Sequence, residues 1–247
     1  DEIRAESFDR GSKYNPPRTV TLDSKFEGAV RISPWPGYAV MVIKKTGERR
    51  VVQHPATALL DFNETLLPLS LSQGRPKEDN RIYKTVYISV TNNTVTDRIE
   101  AETRDLCRVS VDVAYRVNFE GDDPTRWFSN QNYVKLLTDH MRSKLRHVIK
   151  QTGIQDFYQN VTTIVRDAVL GEKPEEDDRP GCVFDENGMR VYEVEVLANE
   201  ILDHDIARLL VEAQMGDVRQ QLLIAAMDRD LELAQRQEEV AREKATC

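Results

Sequence analysis

The sequence predicts an α+β protein in three parts. A small antiparallel β module comes first, then an α/β domain whose mostly antiparallel sheet is covered by helices, then one long C-terminal helix. Three observations carry this. Cys107, Val109, Val111, Val113, Tyr115, Val117 and Phe119 are apolar or aromatic at spacing two, with Arg108, Ser110, Asp112, Arg116 and Asn118 between them. That is a long strand with one buried and one wet face. Directly after it Val134, Leu137, Met141, Leu145 and Val148 recur every three to four residues, the stripe of an amphipathic helix and the cover such a strand needs. From Asp203 onward there is no proline and a high content of Ala, Leu, Glu, Gln and Arg, the composition of a long helix.

The chain has 247 residues and a formal net charge of -8, enough for one large or two modest domains. The acidic balance argues against a dedicated DNA or RNA surface, which needs a basic footprint. The three cysteines, Cys107, Cys182 and Cys247, are far apart and lack CxxC spacing. They imply no disulfide framework, which suits a reducing cytoplasm. No apolar run approaches the roughly 20 residues that span a bilayer. The first residue is Asp1 rather than Met, so the expectation is a piece of a longer protein.

Residues 1–17 end in Asn15-Pro16-Pro17 and read as a flexible lead-in. Short strands are expected at Arg18–Leu22, Gly28–Ile32, Tyr38–Lys44, Arg49–Gln53 and Ala58–Asp61, punctuated by Pro34-Trp35-Pro36-Gly37 and Thr46-Gly47. Trp35 between its prolines reads as a rigid corner plugging the sheet. Leu66–Leu71 is the next expected strand and Ser72–Lys77 a loop. Gly74 has no partner glycines and Lys77 no following Ser or Thr, so the loop lacks phosphate-binding spacing. Ile82, Val86, Ile88 and Val90 predict one half-buried strand, Asn92-Asn93 a turn, and Asp97–Thr103 the strand before the long one.

Asp123 is placed to cap a short helix with Pro124 at its first position. Ser129 or Asn130 is expected to cap the main helix, whose wet face carries Lys135, Arg142, Lys144, Arg146 and Lys150. That face could form an RNA groove, but cations near a helix C-terminus also complement its dipole. Val161, Ile164, Val165, Ala168 and Val169 predict a second helix of about three turns after Gly153. The acidic run from Gly171 to Pro180 is too charged to pack and lacks the glycine turn of a calcium loop. Asn187-Gly188 predicts a hairpin turn into a last strand with Tyr192, Val194, Val196 and Ala198 on one face. The domain limits that follow are 1–17, 18–77, 78–200 and 201–247.

In the last helix, with Asp203 as N-cap, the apolar positions Val211, Met215, Val218, Leu222, Ala226, Leu233 and Val240 follow steps of three and four where consecutive, and Val211, Leu222 and Leu233 stand eleven apart. An eleven-residue repeat keeps a stripe nearly straight. Leu223, Ile224, Ala225 and Met227 widen the apolar band, as a helix packed between two neighbours needs. About forty residues reach roughly 60 Å, too far to bury against one small domain, so the stripe reads as an oligomer interface.

The order of these elements resembles the SPFH/band-7 domain of stomatins, prohibitins and flotillins. The wording is closer still to the shoulder region of the major vault protein family, with a preceding vault repeat and the start of a cap helix. The stretches that carry it are Leu69–Lys77, Thr96–Asp105, Ala114–Glu120, Phe128-Ser129, Ile164–Val169 and Asn187-Gly188, within about Tyr38 to Val240. The resemblance implies a non-enzymatic structural subunit that assembles side by side with copies of itself into a large, ring- or barrel-shaped cytoplasmic ribonucleoprotein particle. It carries over no catalytic residue, cofactor or metal site, and RNA or other particle proteins would be cargo rather than direct partners. An inter-subunit charge contact is expected between Lys144 and Arg146 and the acidic Glu175 and Glu176. The alternative is a membrane-associated band-7 scaffold that recruits or restrains a partner protein. An enzyme reading has only His140 and His147 to draw on; seven apart and without a Glu or Cys partner, they do not grip one ion comfortably.

Overall fold

The computed structural model describes residues 3–4, 20–22, 30–173 and 179–245. They divide into two units, residues 1–200 and 201–247. The architecture of the first is α+β with antiparallel sheets, a repeat-like β module followed by a sheet-and-helix domain.

The β module contains β1 (Ile3–Arg4), β2 (Val20–Leu22), β3 (Val30–Ile32), β4 (Tyr38–Lys44), β5 (Arg49–Gln53), β6 (Ala58–Leu59) and β7 (Glu64–Leu66). Within the expected lead-in only β1 is described, paired antiparallel with β7. β4 is the central strand. It pairs along one edge with β5, and along the other with β7 and with β10 (Tyr87–Ser89). Ile32, Val40, Val42, Val52, Leu60, Leu66 and Val86 form its core. Trp35 is not the expected plug: its side chain is 47% exposed, and its carbonyl accepts the Tyr38 amide in the turn.

An ion pair with its carboxylate buried and its guanidinium partly exposed holds the module together across β4. The Arg50 guanidinium donates from Nη2 to Glu64 Oε2 at 2.8 Å and from Nε to Oε1 at 3.3 Å, and the Asp61 amide donates to Oε2 at 3.1 Å. The Glu64 side chain is almost completely buried. Burial pushes its carboxyl upward, but the guanidinium and the amide outweigh that and hold it below the usual carboxylate value.

Two expected strands are each broken in two. Leu66–Leu71 is interrupted at Leu67-Pro68, because proline has no amide for a ladder; its second part is β8 (Leu69–Gln73). The run from Ile82 to Val90 is β9 (Glu78–Thr85) and then β10, with Val86 between. Among the described strands β9 pairs only with β8, in a ribbon, and Ile82 is 40% exposed. Val86 and Ile88 are buried because the chain crosses there into the β4 sheet.

The second sheet has the order β11-β12-β14-β13, made of β11 (Asn93–Glu102), β12 (Arg108–Phe119), β13 (Cys182–Phe184) and β14 (Met189–Ile201). β11 begins at Asn93, earlier than expected, since Asn92 alone takes the left-handed turn at φ 54°. Val109, Val111, Val113, Tyr115, Val117 and Phe119 are buried, as the alternation predicts. The other face is less wet than expected: Ser110 and Ala114 are buried too, and Arg98 clasps Asp112 there at 2.7 and 2.9 Å. β13 escapes the sequence reading because three residues carry no period. The expected turn at Asn187-Gly188 joins β13 to β14. A Cβ on Gly188, at φ 67°, would lie 2.4 Å from the Glu120 carbonyl, so only glycine fits. In β14 the buried positions are Met189, Val191, Val194 and Ile201; of the expected face Tyr192, Val194, Val196 and Ala198, only Val194 is among them.

A 3-10 turn, Pro124–Phe128, is capped by Asp123 and buries Trp127 and Phe128. Helices α1 (Tyr133–Gln151) and α2 (Ile154–Leu170) follow. α1 is capped by Asn132 rather than Ser129 or Asn130, its Oδ1 accepting the Lys135 amide. Its apolar face ends on Ile149, with Val148 only half-buried. α2 is longer than expected because its stripe starts at Phe157, one turn earlier, and it bends at Asn160. With Gly153 in front it has no side chain of its own to cap it; Asp105 from the β11–β12 tip reaches the Ile154 amide at 2.8 Å. The second unit is α3 (His204–Ala245).

The Glu64 pair sets a pH dependence. A carboxyl whose folded pKa is depressed contributes stability above its unfolded value and loses it as pH falls through the folded one. The melting temperature should therefore exceed that of Glu64→Gln at neutral pH, with the gap closing below the ordinary Glu value of 4.5. A gap independent of pH from 7 to 3 would contradict it.

Candidate assembly surfaces

The residues with chemistry to offer are committed to structure. Among the described residues no group of three or more His, Cys, Asp and Glu is placed to hold a metal ion. The His140 ring packs edge-on against Phe184 at 5.2 Å, and His147 hydrogen-bonds Gln151 one turn on, so the two histidines do not converge. In the loop after β8, Gly74 takes φ 100° and a Cβ there would meet the Pro76 carbonyl at 2.9 Å. The Lys77 amide that follows is given to the chain's own carboxylate, Asp97 Oδ1, at 2.9 Å, not to an anion site.

Asp97 is the centre of the first unit, fully buried. Arg142 from α1 grips it from both sides, Nε to Oδ2 and Nη2 to Oδ1, each at 2.7 Å. The same Nη2 donates to the Lys77 carbonyl at 3.0 Å, and Arg75 donates to Thr96 Oγ1 at 3.0 Å. Asn132 makes a second clip, accepting the Ser72 amide and donating to the Ser72 hydroxyl at 2.9 Å. Strand, helix and hairpin thus meet on one carboxylate. The sequence reading missed this: Arg142 falls between the apolar positions of α1 and looks solvated, yet its side chain is only 16% exposed.

Three of the four remaining cations of α1 also meet their own chain, while Lys150 is exposed. Lys135 pairs with Asp79 at 2.5 Å, Lys144 Nζ lies 3.6 Å from Cys182 Sγ, and Arg146 donates to the Glu100 carbonyl at 3.1 Å. These contacts leave little of the RNA groove that the run of cations allowed. Glu175 and Glu176, the expected partners of Lys144 and Arg146, lie outside the described residues.

α3 is where the apolar surface lies open. Val211, Met215, Val218, Leu222 and Leu233 are between 44% and 68% exposed, and Ala226 is exposed with them. The side chain of Val240 lies outside the described residues. At 3.6 residues per turn these positions share one side. Leu209, Leu223, Ile224, Met227 and Leu231, all exposed, fall on roughly the opposite side. Leu209 and Leu231 had no place in the single stripe read from the sequence; projecting every apolar residue, not only those in step, would have found them. No helix of the described residues is long and apolar enough to cross a membrane.

Replacing Arg142 by Ala leaves a buried carboxylate unpaired and is expected to cost about 3–5 kcal/mol of unfolding free energy in urea titration. The paired change Asp97→Leu with Arg142→Met should recover much of it. A loss under about 1 kcal/mol, the size of a surface pair, would mean that Asp97 is solvated.

Comparison with known proteins agrees with this architecture. Residues 91–203 match a family described as the shoulder domain, and residues 39–88 match the major vault protein repeat domain. The major vault protein of Diplobatis ommata is 28% identical over 232 residues, covering 92% of this chain and 25% of that protein. That of Bos taurus is 31% identical over 170 residues, 62% of this chain and 19% of the relative. That of Mus musculus is 31% identical over 182 residues, 67% and 21%. The chain thus spans about a fifth to a quarter of the length of these curated relatives. With a vault repeat over β4 to β10 and a shoulder domain over β11 to β14, the chain belongs to the major vault protein family, in its shoulder region.

Proposed function

We propose that the chain is a non-enzymatic structural subunit that assembles side by side with copies of itself into a ring- or barrel-shaped cytoplasmic particle. One observation carries this reading: α3 exposes apolar residues on two opposite sides. A helix with two apolar sides buries them in water only when both sides are covered. One partner would cover one side; a copy on each side covers both, and repetition of that contact closes a ring. Coiled-coil-like packing of α3, an SPFH-type fold for the sheet-and-helix domain and a ribonucleoprotein setting belong to the same proposal. In it, RNA is cargo and not a ligand of this chain. Lys144 and Arg146 meeting Glu175 and Glu176 of an adjacent copy would add a salt-sensitive rim.

Leu222→Asp puts a charge in the middle of one apolar side and is expected to convert large species into monomers in sedimentation velocity, with the first unit still folded by circular dichroism. Unchanged sedimentation, or a wild-type chain that is monomeric at all concentrations, would sink the reading. Lys144→Glu with Arg146→Glu should make assembly dissociate at lower salt; an identical salt profile would remove the charge contact while leaving the apolar one standing. Flotation of the chain with liposomes would instead favour the membrane-scaffold alternative.

A further inference from the structure

Two strands of the first unit share an unusual exposure. A strand in a sheet normally alternates between covered and open positions. In β9, however, residues 79–84 are all exposed in succession, and in β14 residues 197–200 are as well. Neither face of these stretches is covered, and each strand also has an edge with no described partner. β9 is the outer strand of the two-stranded ribbon with β8. β14 runs beside β12 on one edge, but β13 pairs only with Met189–Val191 on the other. From Tyr192 on, that second edge meets no described strand.

Two neighbouring strand edges are closed by other means. The outer side of β11 is covered by α1, where Arg146 takes the Glu100 carbonyl, and by the loop around Lys77 bound to Asp97. The second edge of β8 is taken by Gln131, whose carbonyl accepts the Ser70 amide, and by Asn132. Unpaired amides and carbonyls along an exposed strand are a template for another strand, and soluble proteins usually blunt or cover them. β9 is blunted over part of its length: its register with β8 jumps from Ser72–Ile82 to Gln73–Glu78, so the stretch between is bulged and only Ile82–Thr85 is regular.

We infer that these two open edges pair with each other between copies, β9 of one subunit adding antiparallel to β14 of the next. The inference rests on the self-assembly reading and names a second contact for it. Its occupant is argued from the residues. Aligning Ile82 with Leu197 sets two exposed apolar side chains, 40% and 49% open, directly opposite each other. The same register places Tyr83, 37% open, against the half-buried Val196. Cross-strand aromatic and apolar pairs are combinations that stabilise a ladder. The two edges are unlike in sequence, so the contact is head-to-tail: each subunit gives one edge and receives the other, as a closed ring requires. Self-pairing of either edge would give a two-fold dimer and stop.

Cysteine cross-linking of the full chain tests this in a Cys247→Ser background, where Cys107 and Cys182 are buried. Ile82→Cys and Leu197→Cys are prepared singly, mixed, and together in one chain, all at exposed positions. Sedimentation is measured before mild oxidation, and non-reducing electrophoresis after it. The expected result is a ladder of covalent multimers from the doubly substituted chain, dimers only from the mixture, and no cross-link from either single variant. Cross-linking of one single variant with itself overturns head-to-tail pairing. Large particles in which the double variant does not cross-link overturn the edge contact but leave the assembly reading intact. A chain that sediments as a monomer overturns both. The unsubstituted chain gives a second readout: amide exchange at 196–199 should slow at least about tenfold on assembly, as for newly paired strand amides. Unchanged exchange in assembled particles would count against the pairing.

Discussion

The architecture of the first unit depends on one carboxylate. Asp97 stands on the helix-facing side of β11, fully buried, and an ionised group there is tolerated only with its lone pairs satisfied. Arg142 and the Lys77 amide satisfy them. Because those partners come from α1 and from the loop between β8 and β9, three pieces far apart in sequence are fixed at one point. Tyr115, buried beside the pair, has its phenol pushed far up by burial and by the nearby carboxylate, so it stays neutral. Such a pair adds less to net stability than its distances suggest, since both ions are desolvated. What it supplies is geometry: the ribbon has one place to sit on the sheet-and-helix domain.

The groups with ligand-binding chemistry, the glycine loop, four of the α1 cations and the two exposed histidines, are engaged within the chain. What faces outward unpaired is of another kind: the two apolar sides of α3, and the open edges of β9 and β14. Both are features that a neighbouring chain would complete. The helix offers non-directional burial, and strand edges offer a register. In the proposed assembly the two would complement each other, because apolar contact alone leaves the angle between copies loosely set.

Much of the fold was legible in the sequence where period is strong. The long strand β12, the apolar face of α1, the cap at Asp123 and the Asn187-Gly188 turn all follow from spacing or turn chemistry over a few adjacent residues. The errors sit where local pattern and long-range pairing part company. Ile82, Val86 and Ile88 looked like one strand face, yet the ribbon and the β4 sheet divide them. Val148 kept the helical step, but Ile149 points more directly at the sheet. β13 is too short to show a period at all. Of the candidate surfaces, one apolar side of α3 was visible as residues in step. Its opposite side was only half seen, as a broadening around Leu223 to Met227.

By itself the sequence determined the class of the protein, the identity of its longer elements and its acidic, long-helix character, because alternation, helical stripes and turn residues act locally. Only the tertiary structure decided what Asp97 and Arg142 are for. Nothing within a few residues of either announces the other, and a polar residue between apolar positions looks solvated until the chain closes over it. The open edges were decided at the same level. A strand's own residues specify that it is extended, but which of its two edges finds a partner depends on where every other strand has gone.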